Sequence, residues 1–408
     1  LPKTEFYSVN DTKVGNATIR NIFSTRSNSE HTQKRGLLSA LYKTTNLLRF
    51  EALVDGTITT FCKRLDEEFV NGPNEQQICR IDEWLLFFAW DVIGQLTFKK
   101  PMGFIEKGSD YSGLLETSEK ALDYFAVVGQ IPQLDYLLAK NPIMPMGPPS
   151  FDVATAFCAQ QYVARRQDPE PQAGRKDMLD DFLEIERKSP EKMKDNGVIS
   201  ALLINIIAGS DTTATLLRAI VYYVLKNPRV YRKLRNELDD ASLASPVSFS
   251  AAKKLPYLEA VILEACRFHP GVGLLLERVV PESGLELANG IILPPGTNVG
   301  MNPWVIHRDK GIFGDDAGVF RPERWLRDDD EAENDYRVRV ANMKRHDLTF
   351  GAGKRVCIGK DMAMIETYKI TATMFLTYNV SQVPEMIWKY LRSHHLIIEL
   401  ILFDIDVV

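Results

Sequence analysis

The sequence predicts a mainly α-helical fold with small β-sheets. Three observations carry that reading. Residues 198–226 form a long apolar run, opened by Asn196-Gly197 and closed by Asn227-Pro228, the turn chemistry that bounds a helix. A helix of that length spans about 43 Å, enough to cross a whole domain. Residues 83–96 are strongly apolar and carry Trp84, Phe87, Phe88 and Trp90, as a buried helix does. Stretches of β character are short and lie mainly in the turn-rich region 270–305.

Taken in order, the first thirty residues are polar, rich in Asn, Ser and Thr, and read as irregular. A helix is expected from about His31, and another over 50–69. Residues 141–150 hold four prolines and must form a loop; residues 167–176 form a second, polar loop. After the long helix, residues 256–269 form a further helix. Residues 310–347 read as an irregular meander, and a last helix follows Cys357. Residues 396–403 are apolar but interrupted by Glu399, which suits a short strand.

The chain has 408 residues, 45% hydrophobic and 25% charged, with a formal net charge of −5. Length alone suggests two or three domains, but no linker separates them, so residues 1–408 read as one domain. The net charge gives no support to nucleic-acid binding. Cys62, Cys79, Cys158, Cys266 and Cys357 are odd in number and form no C-x-x-C. That argues for a reducing compartment and against a disulfide framework or a zinc site. No run of ~18 apolar residues is read as a membrane span. No signal peptide is visible, and the chain begins with Leu1.

One segment dominates the chemistry: Phe350-Gly351-Ala352-Gly353-Lys354-Arg355-Val356-Cys357-Ile358-Gly359. A cysteine between glycines, with a cation two places before it, suits a thiolate bound to a metal. A thiol needs an electropositive setting or a metal to ionise at neutral pH. Gly353 and Gly359 would let the backbone approach a flat cofactor that a Cβ could obstruct. A helix starting just after Cys357 would aim its N-terminal amides near the sulfur. A lone cysteine would more simply be an inert core residue. A phosphate-binding loop is excluded, because Leu348 stands where its first glycine belongs and Arg355 where its Ser or Thr belongs.

The pattern F-x-x-G-x-R-x-C-x-G, at Phe350, Gly353, Arg355, Cys357 and Gly359, resembles the haem-ligand loop of the cytochrome P450 monooxygenases. Further segments agree. Ala208-Gly209-Ser210-Asp211-Thr212-Thr213 interrupts the long helix with poor helix formers. Its hydroxyls can bond back to the carbonyl four residues earlier and open a notch. It is similar to the family's oxygen-binding motif. The resemblance implies that Thr212 offers its hydroxyl to dioxygen, that Asp211 belongs to a proton relay, and that Ala208 and Gly209 adjoin the haem. Glu264 and Arg267 form E-x-x-R, three apart on one helix face. With Arg324, in Phe320-Arg321-Pro322-Glu323-Arg324-Trp325, they resemble the family's buried structural triad.

The resemblance implies haem b, with Cys357 as iron ligand and cations for its propionates: Arg355, Arg278, Arg35 and His31. Histidine stands at position 31 where the family commonly has tryptophan in W-x-x-x-R. Asn205, Ala208, residues 272–275 and a lid over 9–28 are candidates for the substrate pocket. No flavin or nicotinamide fingerprint is present, since Gly271-x-Gly273 lacks a third glycine. Electrons are therefore expected from NADPH through a separate partner, NADPH-cytochrome P450 reductase. Lys344, Arg345, Lys354 and Lys360 could steer that partner. Ala121 to Phe125, Gly129 to Pro132 and Asn302-Pro303-Trp304 look like filamentous-fungal members of the pisatin-demethylase-like group.

These features imply insertion of one oxygen atom from O2 into a lipophilic small molecule, in fungal secondary metabolism or detoxification. The alternatives are a haem-thiolate isomerase or dehydratase, and a truncated, inactive family member. By resemblance the chain lacks the family's N-terminal strands and anchor. A full-length form would sit at the endoplasmic reticulum membrane on its cytosolic face. The last twenty residues depart from the family's usual terminal hairpin.

Overall fold

The long apolar run folds as one unbroken helix, Gly197–Lys226, entered from Asn196 in the left-handed region (φ 62°). Asn227 ends it, and Pro228 at once opens the next helix, Pro228–Asp240, where its fixed φ suits the first turn. The computed structural model describes residues 1–14, 17–72, 78–141, 143, 146, 151–167, 176–194, 196–382 and 402–407. By length and composition, Gly197–Lys226 could cross a membrane, contrary to the sequence expectation. Its most apolar window is 67% buried within the protein, so it is a core helix here. It packs most extensively on Ile81–Phe98, which is buried on nearly every face, Trp90 and Phe88 included. Gly209 makes the close approach possible: a Cβ there would come within 2.9 Å of Ile93 Cδ1.

Other expected helices appear as Asn28–Leu38, Glu51–Leu65, Pro256–Phe268 and Lys360–Thr377. Buried Lys369 pins the last of these to Glu51–Leu65 by 2.7 Å contacts to Glu51 and Asp55. Five helices of more than ten residues were not read from the sequence: Leu114–Val128, Asp152–Gln167, Met178–Lys188, Pro228–Asp240 and Glu333–His346. The meander expectation for 310–347 needs correction at its end, where Glu333–His346 is helical. Met343 is that helix's only buried residue, so the apolar periodicity that marks a packed helix is missing.

The polar opening segment is ordered as well. Thr4 caps a 3-10 turn at Glu5–Asn10, and β1 (Thr12–Val14) pairs antiparallel with β2 (Ala17–Ile19). Asn21 Oδ1 accepts from the amides of Phe23 and Ser24, both at 2.8 Å. The Asn and Ser content therefore builds turns. Short antiparallel sheets complete the described fold. β3 (Cys79–Arg80), β9 (Leu402–Val407) and β8 (Tyr378–Gln382) form one in that order. β4 (Arg278–Val279) pairs with β7 (Asn298–Val299), and β5 (Leu285–Glu286) with β6 (Ile292–Leu293). The strand expected over 396–403 is seen in part as β9. The loops expected at 141–150 and 167–176 and the departing tail fall mostly outside the described residues.

Candidate functional site

The cysteine loop is wound by two left-handed glycines, Gly351 (φ 70°) and Gly353 (φ 64°), a conformation that costs other residues a steric penalty. The amide of Cys357 donates to Phe350 O at 2.8 Å and closes the loop. Gly353 has no neighbour within 4 Å of its Cβ direction, so its backbone, rather than clearance inside the protein, explains the residue. Gly359 lies beside the sulfur, and a Cβ there would stand 3.9 Å from Cys357 Sγ. Phe350 packs against the edge of the main core, with Lys360 Nζ 5.7 Å from its ring centre.

Cys357 is solvent-reachable, yet burial is the leading influence on its thiol and raises its pKa. The sulfur is thus open to solvent yet closely neighboured by protein. Hydrogen bonds from the Gly359 and Lys360 amides oppose burial, as do the charges of Arg35 and Lys360. Those amides open the helix Lys360–Thr377, the placement expected from sequence.

Cations surround the loop. Arg35 Nη1 donates to Val356 O at 2.6 Å, next to the cysteine. Arg355 donates to Thr25 O (3.1 Å), Ser27 O (3.3 Å) and Asn28 Oδ1 (2.9 Å). Arg278, on β4, donates to Tyr7 Oη at 2.6 Å and Glu277 O at 2.8 Å. His31 is buried, and its pKa is pushed down to about 4, first by burial and then by Arg355, Arg35, Lys3 and Arg278. Lys3 was not foreseen. Its ammonium donates to Phe23 O at 2.5 Å and lies 3.8 Å over the Tyr7 ring. Among the described residues, none of Lys3, Arg35, Arg278 and Arg355 has a carboxylate within 4 Å.

On the long helix, the Ser210, Thr212 and Thr213 hydroxyls donate to the carbonyls of Ile206 (2.6 Å), Ala208 (2.7 Å) and Gly209 (2.7 Å). The expected back-bonding is present but the helix is not broken. The opening is in side-chain cover instead: Ala208 is exposed, and Asp211 and Thr212 are half-buried. Gly209 turns its bare side towards Ile93, so its smallness serves helix packing. Asn205 also departs from expectation. It is buried, accepts from Tyr42 Oη and donates to Met178 Sδ at 3.6 Å, which removes it from the pocket candidates. The segment after the E-x-x-R helix passes close to Thr212: a Cβ on Gly271 would sit 3.5 Å from Thr212 O. One on Gly273 would overlap Trp304 Nε1 at 2.3 Å. Two glycines read from sequence only as a failed fingerprint thus set this wall.

The triad is assembled. Glu264 accepts from Arg267 Nε (2.9 Å) and Nη2 (2.7 Å), Arg324 Nε (2.9 Å), Trp325 Nε1 (2.9 Å) and the Arg321 amide (2.8 Å). Both arginines and the glutamate are buried. Glu323 of the same segment faces outward: burial opposes its ionisation, but bonds from Arg229 and Lys233 hold its pKa down at about 2. Lys344, Arg345, Lys354 and Lys360 are all exposed. A separate cleft of about 670 Å³, bordered by Tyr162, Arg166, Glu186 and Met193, includes none of the motif residues.

A protein-family model described as "Cytochrome P450" matches residues 5–398. The chain is 40% identical over 395 residues to "Cytochrome P450 monooxygenase cfoH" of Aspergillus candidus, covering 96% of this chain and 73% of that protein. It is 36% identical over 393 residues to "Cytochrome P450 monooxygenase cicH" of Emericella nidulans, covering 95% and 76%. With "Cytochrome P450 monooxygenase mpaDE" of Penicillium brevicompactum it shares 37% identity over 397 residues, 94% of this chain but 45% of that one.

Proposed function

The chain belongs to the cytochrome P450 family of monooxygenases, and on that premise we propose that it inserts one atom of dioxygen into a lipophilic small molecule, working as a single haem-thiolate domain. The observation that carries the reading is Cys357, accessible to solvent and receiving the Gly359 and Lys360 amides at the start of a helix. The donor set fits a haem. A soft sulfur is available to iron, and uncompensated cations are available to two propionates. A bound haem would supply the redox chemistry, and Cys357 as its thiolate ligand would donate electron density to the iron.

The protein's own part is to hold and protect. Gly359 and Lys360 amides stabilise the sulfur anion. Arg35, Arg278 and Arg355, with His31 beside them, receive the carboxylate edge. Thr212 holds a hydroxyl at the uncovered stretch of the long helix, and its half-buried neighbour Asp211 would pass protons from solvent. This intact pair favours oxygen insertion over isomerisation. The exposed basic residues Lys344, Arg345, Lys354 and Lys360 support docking of an acidic NADPH-dependent reductase. Exposed Val127, Ile131, Tyr136, Leu137 and Ile143 support contact with a membrane surface, as P450s of this type make.

The test is the absorption spectrum of the reduced carbon-monoxide complex. The wild-type protein is expected to show the thiolate-type band, and Cys357→Ala to lose it. A wild-type spectrum without that band, or one that Cys357→Ala leaves unchanged, rejects the reading.

A further inference from the structure

We propose that Lys3 is a further haem-binding residue, completing with Arg278 and Arg355 the cationic edge that receives the propionates; this rests on the haem-thiolate reading above. The backbone sets its place. Val279 N donates to Pro2 O at 2.9 Å, and Lys3 bridges Arg278 in antiparallel fashion. Residues 2 and 3 thus extend the β4–β7 sheet by a strand edge, which puts Lys3 beside Arg278.

The side chain is 7% exposed. Its ammonium uses one donor on Phe23 O and lies against the faces of Tyr7 (3.8 Å) and Phe23 (4.3 Å). Tyr7 in turn is held by Arg278. The acids nearby are engaged elsewhere: Glu277 accepts from Thr4 Oγ1, and Glu30 pairs with Lys34 and Thr25. A buried charge without a partner is costly. Here several like charges are gathered, and among the described residues no carboxylate is paired with any of them. The strain registers on Lys3, whose pKa is pushed down to about 6, first by burial and then by Arg278 and Arg355. Two carboxylates arriving together would remove the imbalance, and a charge-assisted bond to one of them would use a donor that the ring faces leave free.

The test compares wild type, Lys3→Met and Lys3→Arg as haem-loaded proteins. Haem transfer to an excess of apomyoglobin gives the dissociation rate. Resonance Raman bands of the propionate bending modes report the carboxylate environment. Lys3→Met is expected to keep the thiolate-type carbonyl spectrum, lose haem roughly tenfold faster and shift a propionate band. Lys3→Arg is expected to restore both. Unchanged dissociation and unchanged propionate bands in Lys3→Met overturn the assignment while leaving the haem-thiolate reading intact. Faster loss with unmoved bands, not rescued by arginine, also overturns it, because lost packing alone gives that result. Absence of the thiolate band in the wild type overturns the underlying reading.

Discussion

At the scale of single residues, Glu264 shows how much one carboxylate can organise. It accepts five hydrogen bonds from three arginine positions and a tryptophan. Arg324→Met should break one of its two ion pairs and leave Phe313 O, Asp316 and Val319 O without the donors that Arg324 supplies, lowering stability by roughly 3–5 kcal/mol, read as a drop in melting temperature with the spectrum of the surviving fold unchanged. Thr212→Val removes the hydroxyl that Thr212→Ser keeps. Product formed per NADPH consumed should fall by about 10²-fold in the first and little in the second. His31 gives a pH dependence. Its pKa is depressed by burial to about 4, so the unfolded chain binds the proton first as pH falls. Its stabilising share is complete above the ordinary histidine range and is lost as pH falls towards 4. Melting of the haem-free protein between pH 7 and 4 should show that slope, and His31→Gln should flatten it. The five-position cysteine motif was legible because loop, thiol and cation lie adjacent in sequence. Lys3 was not legible, because its meaning depends on Arg278 and Arg355, hundreds of positions away.

Among elements, the helix Pro256–Phe268 illustrates how a helix end can be made useful. Its last carbonyls lack partners within the helix. Cys266 O accepts from Thr349 Oγ1 (2.9 Å), Phe268 O from Arg308 Nη2 (3.1 Å), and Arg267 O meets His307 Nδ1 (2.9 Å). His307 Nε2 then accepts from the Leu348 amide at 2.7 Å, which fixes the proton on Nδ1. His307→Ala should cost about 1–3 kcal/mol through unsatisfied buried groups. It should also raise the fraction of carbonyl complex lacking the thiolate band, because Leu348 opens the cysteine loop. The helices that carry motifs were readable from their apolar runs. Glu333–His346 and Pro228–Asp240 were not. The first buries one residue, and the second is dominated by charge, its Pro228 signal having been spent on ending the helix before it. The hairpin at 12–19 was hidden for a different reason: polar side chains that build turns resemble, in composition, those of unstructured chain.

Over the whole molecule, charge is sorted by place. A net charge of −5 coexists with an exposed basic rim at Lys344, Arg345, Lys354 and Lys360. If that rim steers the reductase, the rate of electron transfer should fall steeply between low and physiological salt, and neutralising Lys344 and Arg345 together should flatten the dependence. The Glu264 network, the His307 bridge and the Thr349 bond join in one continuous chain of contacts, running from the deepest part of the fold to the strap that carries the thiol. Such wiring ties the strap to the core, so that heat which loosens one loosens both. On heating, the visible colour and the far-ultraviolet helical signal should vanish together, at a single midpoint.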